Sequence, residues 1–216
     1  MNQPADSTHP GAGQKTLLGT IRAAARWSRR LGGTIYRRLR DSIDRRLHPR
    51  RRRVALARLE RRAPQRVLMV CLGNICRSPY AEFALRRALP GHGFEIRSAG
   101  FIGPDRRSPE RAQAAAQTLG IDLGPHRSRL ITTQMLREHD LVVVMETGQR
   151  TQLLTNHRVP DAQILLLGDL DPEPIETRTI PDPYAGSLED FTRCYERVQR
   201  CIEALAGALG GPRGDA

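Results

Sequence analysis

Val67-Leu68-Met69-Val70-Cys71-Leu72-Gly73-Asn74-Ile75-Cys76-Arg77-Ser78-Pro79 is the stretch whose reading decides the fold. Its first five residues are apolar and read as a strand. Gly73 and Asn74 tolerate unusual backbone angles and read as a loop. Ser78-Pro79 opens a helix, because proline suits a first helical turn. Strand, loop and helix follow within thirteen residues.

A cysteine followed six residues later by an arginine means little alone. With 4 Cys and 34 Arg in 216 residues, chance supplies roughly 0.6 such pairs, and Cys194 with Arg200 repeats the spacing. Context separates the two: Cys194 lies within a helical apolar stripe, whereas Cys71 ends a strand. Inward-turned backbone N–H groups beside a helix N-terminus make an anion-binding nest. A free thiol with a pKa of about 8.5 is only ~3% thiolate at pH 7, and such a nest favours the thiolate of a sulfur at its floor. Arg77 supplies a planar fork that grips two phosphate oxygens, and Ser78 a hydroxyl within reach of the sulfur. No G-x-x-x-x-G-K occurs and Lys15 is the only lysine, so the loop is not a nucleotide-binding one.

Outward from this stretch, Phe94–Ser98, Leu141–Met145 and Ile164–Leu167 read as further strands. The last two are apolar throughout, as in parallel strands buried on both faces. Ser108-Pro109-Glu110 signals a helix start, and Ser187-x-x-Asp190 a capping box. Phe191, Cys194, Tyr195, Val198, Cys201, Ile202, Leu205 and Leu209 then trace one helical face. The alternation predicts an α/β fold, a parallel sheet flanked by helices.

The net charge of +12 is unevenly placed. Residues 1–66 carry 18 Lys+Arg against 4 Asp+Glu, and residues 67–216 carry 17 against 19. The reading is therefore a basic N-terminal extension over 1–65, helical or disordered, a domain over 66–210 and a disordered tail over 211–216. In the extension Leu31, Ile35, Leu39, Ile43 and Leu47 recur every fourth residue among arginines. That pattern suits a basic amphipathic helix on an anionic membrane surface or an acidic partner. Trp27 and Tyr36 are its only aromatics, a poor platform for stacking bases, so a nucleic-acid partner is disfavoured. Four cysteines without a C-x-x-C pair indicate neither a disulfide scaffold nor a zinc site. No apolar run reaches the roughly 18 residues of a membrane span, and no secretory signal is evident, so a cytoplasmic location is expected, peripheral to the membrane's inner face if the extension docks there.

The run Val70–Pro79 resembles the signature of low-molecular-weight protein-tyrosine phosphatases. The similarity continues through Ser98-Ala99-Gly100, Asp140–Glu146 and Ile180–Tyr184 to the terminal helix, over about residues 66–209. The resemblance implies a four-stranded parallel sheet and hydrolysis of phosphotyrosine in proteins without cofactor or metal. It implies Cys71 as nucleophile, Arg77 as phosphate ligand and Asp182 as general acid and base. Leu72, Gly73, Asn74, Ile75, Cys76, Ser78 and Tyr184 would then surround the substrate, with Asn74 bracing the loop and His126 supporting it. Gly100–Pro104 is shorter than the loop usual there in the family, and Ala185 stands where some members carry a second aromatic.

Competing readings are weaker. A thioredoxin-coupled arsenate reductase needs two further reactive cysteines in mid-chain, and residues 79–193 contain none. A non-catalytic anion-binding interaction module would not need Cys71, Arg77 and Asp182 together. Cys76 fits either a reversible disulfide with Cys71 or loop packing, and Cys194 and Cys201 fit the core.

Overall fold

A computed structural model describes residues 41–91 and 93–210. Most of the basic extension, with Leu31, Ile35 and Leu39, and the tail 211–216 lie outside the described residues. By its contacts the chain divides into two units, Met1–Ile43 and Asp44–Ala216.

The second unit is built on four strands, β1 (Arg66–Cys71), β2 (Glu95–Gly100), β3 (Leu141–Val144) and β4 (Ile164–Leu166). All pairings are parallel, in the order β2-β1-β3-β4. Alternating side chains feed two cores, as the two-residue period of a strand requires. Val67, Met69, Val143 and Leu165 face one side, packing with α2 (Arg77–Ala88), α3 (Glu110–Thr118) and α6 (Leu188–Gly210). Leu68, Val70, Val142, Val144, Ile164 and Leu166 face the other, under Leu136 of α4 (Thr133–Glu138) and Leu153 of α5 (Thr147–Thr155). The four-stranded parallel sheet expected from the sequence is present.

The capping box at α6 forms: Ser187 Oγ accepts from Asp190 N at 3.2 Å while Ser187 N donates to Asp190 Oδ2 at 2.8 Å. The whole apolar stripe of α6 is buried. Ser108 makes no corresponding cap, because the N-cap position of α3 falls on Pro109, which has no side-chain acceptor.

Residues 41–62 are helical (α1), and from Asp44 onward α1 belongs to the unit that holds the sheet. By its contacts, the unit that holds the sheet begins at Asp44. The physical reason is a second helical face, Asp44, His48, Ala55 and Leu59, all buried. Ala55 and Leu59 join the core, His48 Nε2 bonds to the Asp171 carbonyl at 2.8 Å, and Arg58 donates to the Ile164 carbonyl at 2.7 Å. Ile43 and Leu47, members of the apolar stripe read from sequence, are exposed.

Candidate active site

The loop after β1 is held in shape by Asn74. Its φ of +50° is a left-handed angle, which Asn adopts more readily than other residues with a β-carbon. The side chain is wholly buried and every polar atom is used. Nδ2 donates to Ser78 Oγ at 2.9 Å and to Ser98 Oγ at 2.8 Å, and Oδ1 accepts from Arg129 N at 2.8 Å. Its carbonyl bonds His126 Nε2 at 2.7 Å. Burial holds the pKa of His126 below its ordinary value, against the bond to Asn74, so the ring is neutral near pH 7 and Nε2–H is the donor. Gly100 makes room for the loop. A Cβ there would meet Asn74 N at 2.7 Å and Gly73 C and Leu72 O at 2.9 Å, all backbone.

Because Asn74 donates to Ser78 Oγ, the serine proton is left to point at Cys71 Sγ, 3.0 Å away. Cys71 ends β1 and sits at the mouth of α2, whose first turn holds no acidic residue to offset its positive end. Stacking of Tyr80 on Tyr195, centroids 4.2 Å apart, fixes α2 against α6, and Tyr195 Oη donates to the Cys76 carbonyl at 3.3 Å.

Arg77 is fully buried. Nη1 donates to Glu146 Oε1 at 2.6 Å and to the Ile180 carbonyl at 2.9 Å, and Nη2 donates to Asp182 Oδ2 at 2.6 Å. Burial works against its charge, but Cys71, Asp182 and Glu146 outweigh that and raise its pKa. Glu146 is also the N-cap of α5 and closes a capping box with Gln149. Sequence reasoning gave Glu146 no role; its place immediately after the apolar run of β3 was the available signal.

The Asp182 segment is pinned from α6. Arg197 donates to the carbonyls of Thr177 at 2.7 Å and Thr179 at 3.0 Å and pairs with Asp171 at 3.0 Å. These bonds carry Asp182 to a cavity of about 220 Å³ that Cys71 also lines. Leu72, Ile75, Ile102 and Tyr184 form apolar walls, and Gly73 and Cys76 complete the floor. Leu72, Ile102 and Tyr184 are exposed at the rim. Asn74 and Ser78, grouped with these residues at the sequence level, lie beneath the loop, where they hold it and the sulfur. Arg106 was missed: it lines the cavity and donates to the Gly73 carbonyl at 2.9 Å. One arginine among many in this chain carries no signal of its own.

Cys76 is buried, and burial first and Cys71 second push its thiol up. Cys194 and Cys201 lie in the core. Among the described residues no group of three His, Cys, Asp or Glu side chains could hold a metal ion.

Comparison with known proteins agrees with this geometry. The family model described as low molecular weight phosphotyrosine protein phosphatase matches residues 66–212. The low molecular weight protein-tyrosine-phosphatase Etp of Escherichia coli K12 is 35% identical over 145 residues, 66% of this chain and 93% of Etp. The crystal structure of the tyrosine phosphatase Wzb from Escherichia coli K30 with sulphate superposes with a TM-score of 0.60 at 34% identity, covering 68% of this chain and 99% of Wzb. YwlE arginine phosphatase from Geobacillus stearothermophilus gives 0.59 at 27% identity, covering 68% and 94%. From residue 66 onward, this chain belongs to the low molecular weight phosphotyrosine protein phosphatase family.

Proposed function

We propose that this protein is a phosphatase that hydrolyses phosphotyrosine in proteins through a phosphocysteine on Cys71. The observation that carries the reading is that Asp182, paired with Arg77, lines the same cavity as Cys71. Phosphate entering the loop competes with Asp182 for the fork of Arg77, since a phosphoryl dianion is a strong bidentate partner. The carboxyl group is then free to face the leaving oxygen. The Cys71 thiolate attacks phosphorus in line, the P–O bond to the tyrosyl oxygen breaks, and Asp182 gives that oxygen its proton. Loop N–H groups and Arg77 stabilise the equatorial oxygens. Water next attacks the phosphocysteine, Asp182 takes its proton, and the P–S bond breaks. The Ser78 hydroxyl, aimed at sulfur, stabilises the departing thiolate.

The apolar walls favour a flat aryl group over a cationic phosphoguanidinium, the group on which the arginine phosphatase among the structural neighbours acts by its name. The test is steady-state turnover of phosphotyrosine, phosphoserine and phosphoarginine peptides, with Cys71→Ser as control. Phosphotyrosine should be hydrolysed fastest, and Cys71→Ser should be inactive. Turnover by Cys71→Ser, or preference for phosphoarginine, overturns the reading.

For location, the same proposal extends to the basic segment, which would hold the enzyme against an anionic surface on the cytoplasmic side. No described helix is long and apolar enough to cross a membrane.

A further inference from the structure

A second cavity, of about 370 Å³, lies between α1 and the β4 edge, away from Cys71. Leu47, Val54, Ala55 and Leu165 make it partly apolar, and five arginines line it: Arg50, Arg51, Arg58, Arg150 and Arg178. Three of them have carboxylate partners. Arg51 pairs with Asp44 at 2.7 Å, Arg178 grips Asp169 with two bonds of 2.7 and 2.6 Å, and Arg150 pairs with Asp161.

Arg58 has no such partner among the described residues; its bond is to the neutral Ile164 carbonyl. Burial lowers its pKa, Asp161 opposes this, and the charges of Arg62 and Arg150 lower it further. Arg62 itself reaches only the Ala162 carbonyl. The five lining arginines have three carboxylate partners, Asp44, Asp161 and Asp169, which leaves the charges of Arg50 and Arg58 without an ion pair among the described residues. Arg50, exposed and without an ion pair among the described residues, continues the positive wall.

We propose that this groove is a second anion site that binds a phosphate group, held by Arg58 and Arg150. A phosphate monoester carries about −1.5 to −2 charges near neutral pH, which matches the excess, and its tetrahedral oxygens suit guanidinium forks. The apolar lining next to the arginines suits a phosphate joined to an apolar body, as in a lipid headgroup with its chains, although a free phosphate shares the chemistry. This narrows the surface-docking reading to named residues yet is independent of Cys71, since the groove lies wholly within residues 47–178.

The test is a titration of the full-length protein with inorganic phosphate, followed by NMR at backbone amides 54–58 and 164–166 and separately at 72–78. Both sets should respond with saturation. Arg58→Gln should weaken the groove response about tenfold and leave the loop response unchanged. Arg150→Ala, at a partly exposed position, serves the same purpose if Arg58→Gln folds poorly. Asp161→Asn should tighten phosphate at the groove, an effect that mere structural damage would not give. In parallel, flotation with vesicles of phosphatidylcholine, with and without phosphatidic acid, separates the sources. Binding of free phosphate together with flotation on phosphatidic acid vesicles that Arg58→Gln weakens assigns a lipid headgroup. Binding of free phosphate with no flotation, or with flotation indifferent to Arg58→Gln and Arg150→Ala, assigns a soluble ligand, such flotation then being due to the basic segment. No saturable groove response, a response indifferent to Arg58 and Arg150, or vesicle binding without a response to free phosphate overturns the site. A silent loop with a responsive groove would count against the catalytic reading alone.

Discussion

Arg77 and Asp182 form an ion pair of 2.6 Å although 105 positions separate them in the chain. The pair ties the proposed phosphate ligand to the proposed proton donor, so breaking it must affect both binding and protonation.

Asp182→Asn should lower kcat on phosphotyrosine by about 10²–10⁴, the usual contribution of a general acid. Aryl phosphates with very acidic leaving groups should lose much less, because their leaving oxygen needs no proton. Steady-state rates across a leaving-group series check this. Equal loss along the whole series would remove Asp182 from the role.

The four cysteines should differ sharply in reactivity. Burial pushes the Cys194 thiol up to about 12 and raises Cys76 and Cys201 as well. Iodoacetate at pH 7 should therefore modify Cys71 first, with inorganic phosphate protecting it, as peptide mass mapping would show. Cys194→Ser should leave kcat nearly unchanged. First modification at Cys194 or Cys201 would contradict the burial seen here.

His126 gives stability a pH dependence. Its folded pKa lies below the unfolded value of about 6.5. Between the two values the unfolded chain binds more protons than the folded one, so the contribution is intact above pH ~6.5 and is lost as pH falls toward the folded pKa. Urea unfolding from pH 7.5 downward should show a decline that His126→Gln flattens. An unchanged slope in that variant would assign the decline to other groups.

Gly100→Ala should damage the loop from the neighbouring strand. The added methyl meets three backbone atoms of residues 72–74 within 2.9 Å, none of which can rotate away. A stability loss of about 1–3 kcal/mol is expected from overpacking. Activity measured well below the melting temperature should fall too, because the nest is displaced. Full activity at reduced stability would mean that the loop relaxes without losing its shape.

The sequence by itself determined what depends on neighbours along the chain. The apolar runs of β1, β3 and β4 and the stripe of α6 are periodic signals that burial converts directly into a sheet and its cover. The Cys71–Arg77 loop was legible for the same reason, since strand, turn-tolerant residues and helix start are contiguous. Its partners were not legible from pattern or spacing: Asp182 and His126 were expected only through the family resemblance, and Glu146 was not expected at all. Glu146, Asp182 and His126 reach Arg77 and Asn74 across 69, 105 and 52 positions, and only the path of the folded chain sets those distances. The face of α1 was decided the same way. Apolar spacing marked Ile43 and Leu47 as one face of an amphipathic helix, and both are exposed, whereas the face that packs on the domain carries Asp44 and His48, which are buried. A polar side chain is buried where a partner waits for it, and the Arg51 guanidinium and the Asp171 carbonyl are such partners. One arrives from the next turns of the helix and the other from 123 residues away, a meeting that tertiary structure alone can arrange.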